Sequence, residues 1–154
     1  MKRVVLVAVL TLLTIVRVSA QDYDWALGVR LGDNMSGFSA KKSITASSKI
    51  EGIVAFPYLQ GISITGLYQK YMPVIDAGFH LYYGFGAHLG NEKYKKHDEN
   101  HSGICVGVDG VVGLEYKLFE APLAFSLDYK PAINLMGHKF LDLAGFALGI
   151  RFTF

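Results

Sequence analysis

The residues of this sequence that could do chemistry are charged side chains at alternate positions of apolar segments. The clearest case is Ile104–Lys117, where an apolar row alternates with a row that contains Cys105, Asp109 and Glu115. Successive side chains of a β-strand point to opposite faces. The spacing therefore predicts a long strand with one apolar face and one face of small and charged residues.

Eight charged residues fall on the less apolar face of such alternating segments. They are Arg30, Lys41, Glu51, Asp109, Glu115, Asp128, Lys130 and Arg151. Four are basic and four are acidic, and charges taken out of bulk water are costly unless they pair. We therefore predict a network of ion pairs in the lumen that the strands enclose. A polar path for small solutes is the alternative.

Two histidines four positions apart, His97 and His101, have the spacing of a zinc-binding helix. The zinc motif carries Glu directly after its first His, whereas this sequence carries Asp98. The pair also lies in the most polar segment, Asn91–Ser102, which we expect to be a solvated loop. We predict no metal site.

The nucleophiles of the sequence lack the partners of a catalytic site. His101 and Ser102 are residue types used by outer-membrane lipid hydrolases, but no acidic residue is placed to orient the histidine. Cys105 is the only cysteine, so no intrachain disulfide forms. Its place in a row of small residues favours a structural thiol over a nucleophile. We predict no catalytic residues and no cofactor.

Eight segments with period-two alternation organise the chain, and no helical periodicity competes with them after the N-terminal stretch. The segments are Trp25–Gly32, Phe38–Lys41, Ile50–Phe56, Ile62–Gln69, His80–Gly90, Ile104–Lys117, Leu123–Lys130 and Phe146–Phe154. The connections between them are Ser43–Ser48, Pro57–Gly61, Pro73–Gly78, Asn91–Ser102, Phe119–Pro122 and Ala132–Leu143. This pattern predicts an all-β fold, an eight-stranded antiparallel up-and-down barrel.

The composition of the two faces indicates which one points outward. The second face is rich in Gly, Ala and Ser, as the narrow, filled interior of an eight-stranded barrel requires. The apolar face ends in aromatic residues, which suits hydrocarbon bounded by aromatic girdles. Those residues are Trp25, Tyr116, Phe152 and Phe154. We predict a transmembrane barrel, with a soluble periplasmic barrel as the alternative.

The N-terminus has the three parts of a secretory signal peptide. The basic Met1–Arg3 is followed by the apolar run Val4–Val16 and by the small residues Ser19 and Ala20. The run is too short to span a bilayer. We expect residues 1–20 to be cleaved and residues 21–154 to form one barrel domain. The signal carries three basic residues, Lys2, Arg3 and Arg17, and its removal changes the net charge from +2 to −1, so no nucleic-acid partner is predicted.

Three glycine-rich alternating segments and the aromatic C-terminal segment share the pattern of a known family. They are Tyr83–Gly90, Gly107–Tyr116, Ser126–Pro131 and Gly149–Phe154. Over essentially its whole mature length, the chain resembles small outer-membrane β-barrel proteins of the OmpA or OmpX transmembrane type, common in Bacteroidetes. This resemblance implies the cell outer membrane of a Gram-negative bacterium as the location. The last segment is similar to the terminal signature that the barrel-assembly machinery recognises, which implies Phe152 and Phe154 as an assembly signal.

These observations predict an integral outer-membrane β-barrel protein with a structural or surface-interaction role and a side-chain-filled lumen. A small-solute porin or channel and an outer-membrane lipid-modifying enzyme are the alternatives. The expected partners are outer-membrane lipid and, during biogenesis, the barrel-assembly machinery, with a monomer as the working state. Lys93, Lys95 and Lys96 either meet lipid phosphates at the surface or are simply hydrated.

Overall fold

The computed structural model describes residues 23–33, 35–57, 61–75, 78–96, 99–137, 140–143 and 145–154. The predicted signal peptide, residues 1–20, lies outside this part of the chain. Among these residues there is no helix that is long and apolar enough to cross a membrane.

The described chain is built from antiparallel β-strands. They are β1 (Trp25–Gly32), β2 (Met35–Thr45), β3 (Ser48–Pro57), β4 (Gly61–Ile75), β5 (Phe79–Lys96), β6 (Glu99–Lys117), β7 (Leu123–Tyr129), β8 (Ala132–Met136), β9 (Leu141–Asp142) and β10 (Phe146–Thr153). Their alternating apolar and polar residues, with β-branched and aromatic side chains on one face, favour this extended pairing.

Eight of the strands close into a ring. Strands β1 to β6 pair in sequence, β6 pairs with β7, β7 with β10, and β10 returns to β1. The short β8–β9 hairpin continues beyond β7, and β8 pairs with the distal part of β6. The predicted all-β, eight-stranded antiparallel up-and-down barrel is confirmed.

The two ends of the barrel differ in what they carry, and we name them by that difference. The terminal rim holds the start of β1 and the end of β10, joined by reciprocal backbone hydrogen bonds between Trp25 and Phe154 of 2.9 and 2.8 Å. The distal rim is the opposite end, where β1 leads to β2, β3 to β4, β5 to β6 and β7 toward β10.

The segment Asn91–Ser102 was expected to be a solvated loop, and that prediction was wrong. Strand β5 runs on to Lys96 and β6 begins at Glu99, so the described residues of the segment are paired strand, from Asn91 with Ile104 to Lys96 with Glu99. Hairpin pairing satisfies the backbone donors and acceptors whatever the side chains are. Polar composition therefore did not exclude a strand.

Three other predicted connections are partly strand. Strand β2 runs to Thr45, β4 includes Pro73 and ends at Ile75, and β8 with β9 occupies part of Ala132–Leu143. Pro73 lies where the register between β4 and β5 shifts, as expected for a residue that cannot donate to the ladder. These extensions lengthen the barrel wall without changing its topology.

The barrel is apolar outside and polar inside. Outward side chains such as Phe38, Phe85 and Ile104 are 64%, 69% and 66% exposed. Inward positions on the same strands hold charged and hydroxyl-bearing residues that are buried. Trp25, Tyr116, Phe152 and Phe154 belong to the outward row near the terminal rim, where the rings of Tyr116 and Phe79 lie with centroids 4.4 Å apart.

Candidate functional site

The candidate site is the lumen, into which all eight predicted charges point. Each of the eight side chains is buried. Within the described residues they form four close ion pairs, Arg30 with Asp128, Lys41 with Glu115, Arg151 with Glu51, and Lys130 with Asp109, and a longer one of 3.8 Å between Lys41 and Glu51. The eight charges therefore balance one another where water is excluded, and Lys49 adds a further buried ammonium group beside Glu115.

Arg151 occupies the middle of this network and uses its guanidinium on three different strands. Its Nε donates to Ser39 Oγ at 2.7 Å, Nη1 to Ser126 Oγ at 2.6 Å, and Nη2 to Glu51 Oε1 at 2.6 Å. These acceptors lie on β2, β7 and β3, while Arg151 itself is on β10. The planar fork of arginine suits such a hub because its donors diverge in fixed directions.

Toward the terminal rim, the carboxylate of Glu115 accepts hydrogen bonds from a second group of side chains. Lys41 Nζ donates to Oε2 at 2.9 Å, and the hydroxyl of Tyr71 donates to the same oxygen at 3.0 Å. The hydroxyl of Tyr23 donates to Oε1 at 2.5 Å, and Lys49 Nζ lies 3.7 Å from that oxygen. Two ammonium groups and two phenols thus surround one buried carboxylate.

Aromatic rings fill the space that remains in this half of the lumen. Lys41 Nζ lies 4.4 Å from the ring centroid of Tyr82, and Lys49 Nζ lies 3.6 Å from that of Tyr23. The rings of Tyr71 and Tyr82 stack with centroids 5.0 Å apart. Cations over aromatic faces are stabilised by the ring quadrupole, more so when desolvated. The terminal half of the lumen is therefore packed with side chains.

Sequence reasoning missed several members of this packed half. Lys49, Gln69 and Tyr82 are inward-facing by alternation, but none of them is a charged residue within a predicted strand. Lys49 precedes the predicted start of its strand, and Tyr23 precedes β1. Extending the period-two alternation by a few residues at each strand end, and including phenols, would have found Lys49 and Tyr82.

A separate group lies nearer the distal rim. Asp109 accepts from Lys130 Nζ at 2.5 Å and from His88 Nδ1 at 2.8 Å, on different carboxylate oxygens. His88 Nε2 lies 3.6 Å from Cys105 Sγ. A cavity of about 60 Å³ opens here, lined in part by Arg30, His88, Cys105 and Lys130. Its volume has room for a few water molecules.

The other residues that the sequence analysis weighed lie in the segment Asn91–Ser102. His97 and Asp98 lie outside the described residues, and so do the side chains of Lys93, Lys95, Lys96, Glu99, Asn100, His101 and Ser102. Across the part of the chain that the structure describes, no three His, Cys, Asp or Glu side chains are grouped so that they could hold a metal ion.

Comparison with known proteins finds similarity only to the fold of solved structures. No protein-family model matches the sequence. No curated protein matches it either. Among solved structures, the chain is similar to the N-terminal β-barrel domain of Pseudomonas aeruginosa OprF, with a TM-score of 0.68 and 14% identity over 84% of this chain and 95% of that one. It is also similar to Neisserial surface protein A (NspA), with a TM-score of 0.58 and 14% identity over 84% and 93% of the two chains. At such identity the likeness establishes a shared eight-stranded barrel architecture.

Proposed function

We propose that this chain is an integral outer-membrane β-barrel protein of a Gram-negative bacterium, with a structural or surface-interaction role and a lumen filled by side chains. The observation that carries this proposal is the inversion of polarity: the wall is apolar outside, while the inside holds a network of buried ion pairs. A water-soluble barrel instead has its apolar side chains inside and its polar side chains outside.

The outward face supports a hydrocarbon surrounding. Phe85, Leu135 and Ile104 are each about two-thirds exposed, at 69%, 68% and 66%. Apolar rows of this kind continue around the ring, and contiguous exposed apolar patches on soluble monomers rarely exceed a few hundred Å². Closure of the ring supports the same reading, since a closed barrel leaves no unpaired edge to face lipid.

Two further observations support the outer membrane as the particular location. One of the similar solved structures is a bacterial surface protein by its name, NspA. The C-terminal row of alternating hydrophobic residues ends in Phe154, as in outer-membrane barrels of the OmpA or OmpX type.

The filled lumen favours a structural or surface role over a channel. The half of the lumen near the terminal rim is filled by Arg151, by Glu115 with Lys41, and by the stacked rings of Tyr71 and Tyr82. We propose neither enzymatic turnover nor a cofactor for this protein, and a monomer with outer-membrane lipid and the barrel-assembly machinery as partners. Contacts with other molecules would then be made by the distal rim.

Fractionation of cells that produce the full chain tests the location. We expect the protein to remain with outer membranes after carbonate and urea washes and to shift in gel mobility on heating in SDS. A periplasmic enzyme and a known outer-membrane barrel serve as markers in the same preparation. Recovery with the periplasmic marker, without detergent, would refute the membrane assignment.

A further inference from the structure

The inward face of β6 carries Cys105, Gly107 and Asp109 at successive alternate positions, and His88 of β5 is the cross-strand partner of Gly107. A Cβ atom at position 107 would lie 2.6 Å from His88 Cε1. Glycine therefore lets the imidazole lie over the strand and reach the residues on either side. One ring nitrogen meets Asp109 and the other faces Cys105.

The hydrogen bonds determine where the proton on the ring is. Asp109 accepts from Lys130 Nζ at 2.5 Å, which fits an ionised carboxylate, and such a group can only accept. His88 Nδ1 therefore carries the hydrogen that it donates to Asp109 Oδ2 at 2.8 Å. In the neutral imidazole, the lone pair of Nε2 then faces Cys105 Sγ at 3.6 Å. This order of nucleophile, base and orienting acid is the arrangement that activates thiols.

The cavity beside the thiol limits what can reach it. Its volume of about 60 Å³ admits a few water-sized atoms and excludes acyl chains and peptides. Arg30, which lines the same cavity, is more than nine-tenths buried. Its Nη1 has no hydrogen-bond partner within the described ranges. Arg30 thus adds a cationic side chain to the cavity wall, while its unsatisfied Nη1 is itself buried.

We propose that Cys105 is a site of reversible oxidation by hydrogen peroxide, which enters this cavity from the distal rim. Peroxide has two heavy atoms, and its oxygens can accept from the cationic wall formed by Arg30 and Lys130. The proposal replaces the sequence-based expectation that Cys105 is only a structural thiol. That expectation could not include a base supplied by the neighbouring strand.

The reaction balances with the groups present. Cys105 Sγ–H transfers its proton to His88 Nε2, and the thiolate attacks one peroxide oxygen. The S–O bond forms as the O–O bond breaks, and the leaving hydroxide takes the proton from Nε2 and departs as water. Sulfur is oxidised by two electrons to a sulfenic acid, and the peroxide is reduced. Because Cys105 is the only cysteine of the chain, the acid persists until a small external thiol reduces it.

A comparison of the folded and unfolded wild-type chain tests the proposal without any substitution. The probe is hydrogen peroxide at neutral pH; after a set time catalase removes the peroxide, the protein is unfolded in urea, and dimedone then traps the sulfenic acid that has formed, with Cys105→Ser as the blank. We expect the folded protein to react about tenfold faster than the urea-unfolded chain, because an unassisted thiol is only a few per cent ionised at neutral pH. A polymer-linked maleimide should show the reverse order, since it cannot enter the cavity. Equal or slower reaction of the folded protein with peroxide would overturn the proposal.

Matched histidine variants test the base. His88→Gln should lower the peroxide rate to that of the unfolded chain, whereas His80→Gln, on the same strand and face, should leave it unchanged. Asp109 is a positioning residue, so Asp109→Asn should lower the peroxide rate while Asp109→Glu restores part of it. Heat-shifted gel mobility confirms that each variant is folded. Unchanged reactivity in folded His88→Gln would also overturn the proposal.

Discussion

Arg151 and Glu51 form an ion pair of 2.6 Å across the lumen, with neither side chain exposed. Arg151 is on β10 and Glu51 on β3, two strands that β1 and β2 separate along the wall. The pair therefore ties together parts of the barrel that share no backbone hydrogen bonds. Neutralising one partner leaves the other as a buried charge without its closest counter-ion.

Loss of one partner from this pair should cost more than loss of both. Glu51→Gln is expected to lower the free energy of unfolding by about 3–5 kcal/mol, because removal of one member strands the other charge. The double variant Glu51→Gln, Arg151→Met should recover part of that loss, since no isolated charge remains. Urea unfolding in lipid vesicles measures both. Strictly additive effects would contradict coupling between the two side chains.

A charged residue on the outward face should destabilise the barrel by an amount that depends on its depth in the membrane. Leu127 lies in the middle of its outward row and is 52% exposed. Leu127→Arg should destabilise the barrel by roughly 2–4 kcal/mol if the row faces lipid. Ile44→Arg is the matched control, because Ile44 also faces outward but lies near the terminal rim, where the cost falls to about 0–1 kcal/mol. Folding in vesicles with equal stability for the two variants would refute the membrane orientation.

Alternation along the chain was sufficient to predict the number of barrel strands, their faces and the inward position of eight charges. Period two is a local property, so each segment reports its own faces. Pairing partners are different, because register depends on the whole ring. The sequence contains Arg151 and Glu51 on the correct face, yet nothing local indicates that they meet.

The paired ends of β5 and β6 and the cavity beside Cys105 show what a local sequence pattern does not predict. Asn91–Ser102 is polar, and its composition favours a loop, but its described residues pair as parts of β5 and β6. In the same way, the residues of β6 alone do not indicate that the thiol of Cys105 is reactive. Only the register that sets His88 opposite Gly107 brings a base to the thiol.

One inward and one outward glycine, Gly107 and Gly66, offer a test of crowding inside the wall. A Cβ atom at Gly107 would clash with the carbonyl oxygen of Ile133 and lie 2.6 Å from His88, whereas one at Gly66 would meet nothing within 4 Å. Gly107→Ala should therefore destabilise by about 1–3 kcal/mol, as overpacking does. Gly66→Ala should be neutral or slightly stabilising, because glycine weakens a strand. Equal unfolding midpoints for the two variants would show that the inward face is not tightly packed.

The packed terminal half should block ion flow. Glu115, Lys41 and the stacked rings of Tyr71 and Tyr82 occupy the section that ions would have to cross. We expect no steady single-channel current from the wild-type protein in planar bilayers, since an eight-stranded interior is only wide enough for side chains. A large and reproducible conductance would favour the channel alternative instead.

Deletion of Phe154 should impair assembly in cells more than stability. Phe154 closes the ring at the terminal rim through two backbone hydrogen bonds with Trp25, and its side chain is 47% exposed. Losing a half-exposed aromatic side chain costs less than the roughly 1.5–3 kcal/mol of a fully buried one. The other pairings of β1 with β10, from Ala26 to Gly32, remain. The truncated protein should therefore refold in detergent almost normally.

In cells, however, the last strand must be delivered unpaired, and an exposed aromatic end is what the assembly machinery could recognise. We expect low surface levels and periplasmic degradation of the truncated protein. Phe146→Ala is the matched control, because Phe146 belongs to the same outward row of β10 at its other end. Normal surface levels after deletion of Phe154 would refute an assembly role. Failure to refold in detergent would show instead that Phe154 acts on stability, through the closure of β1 against β10.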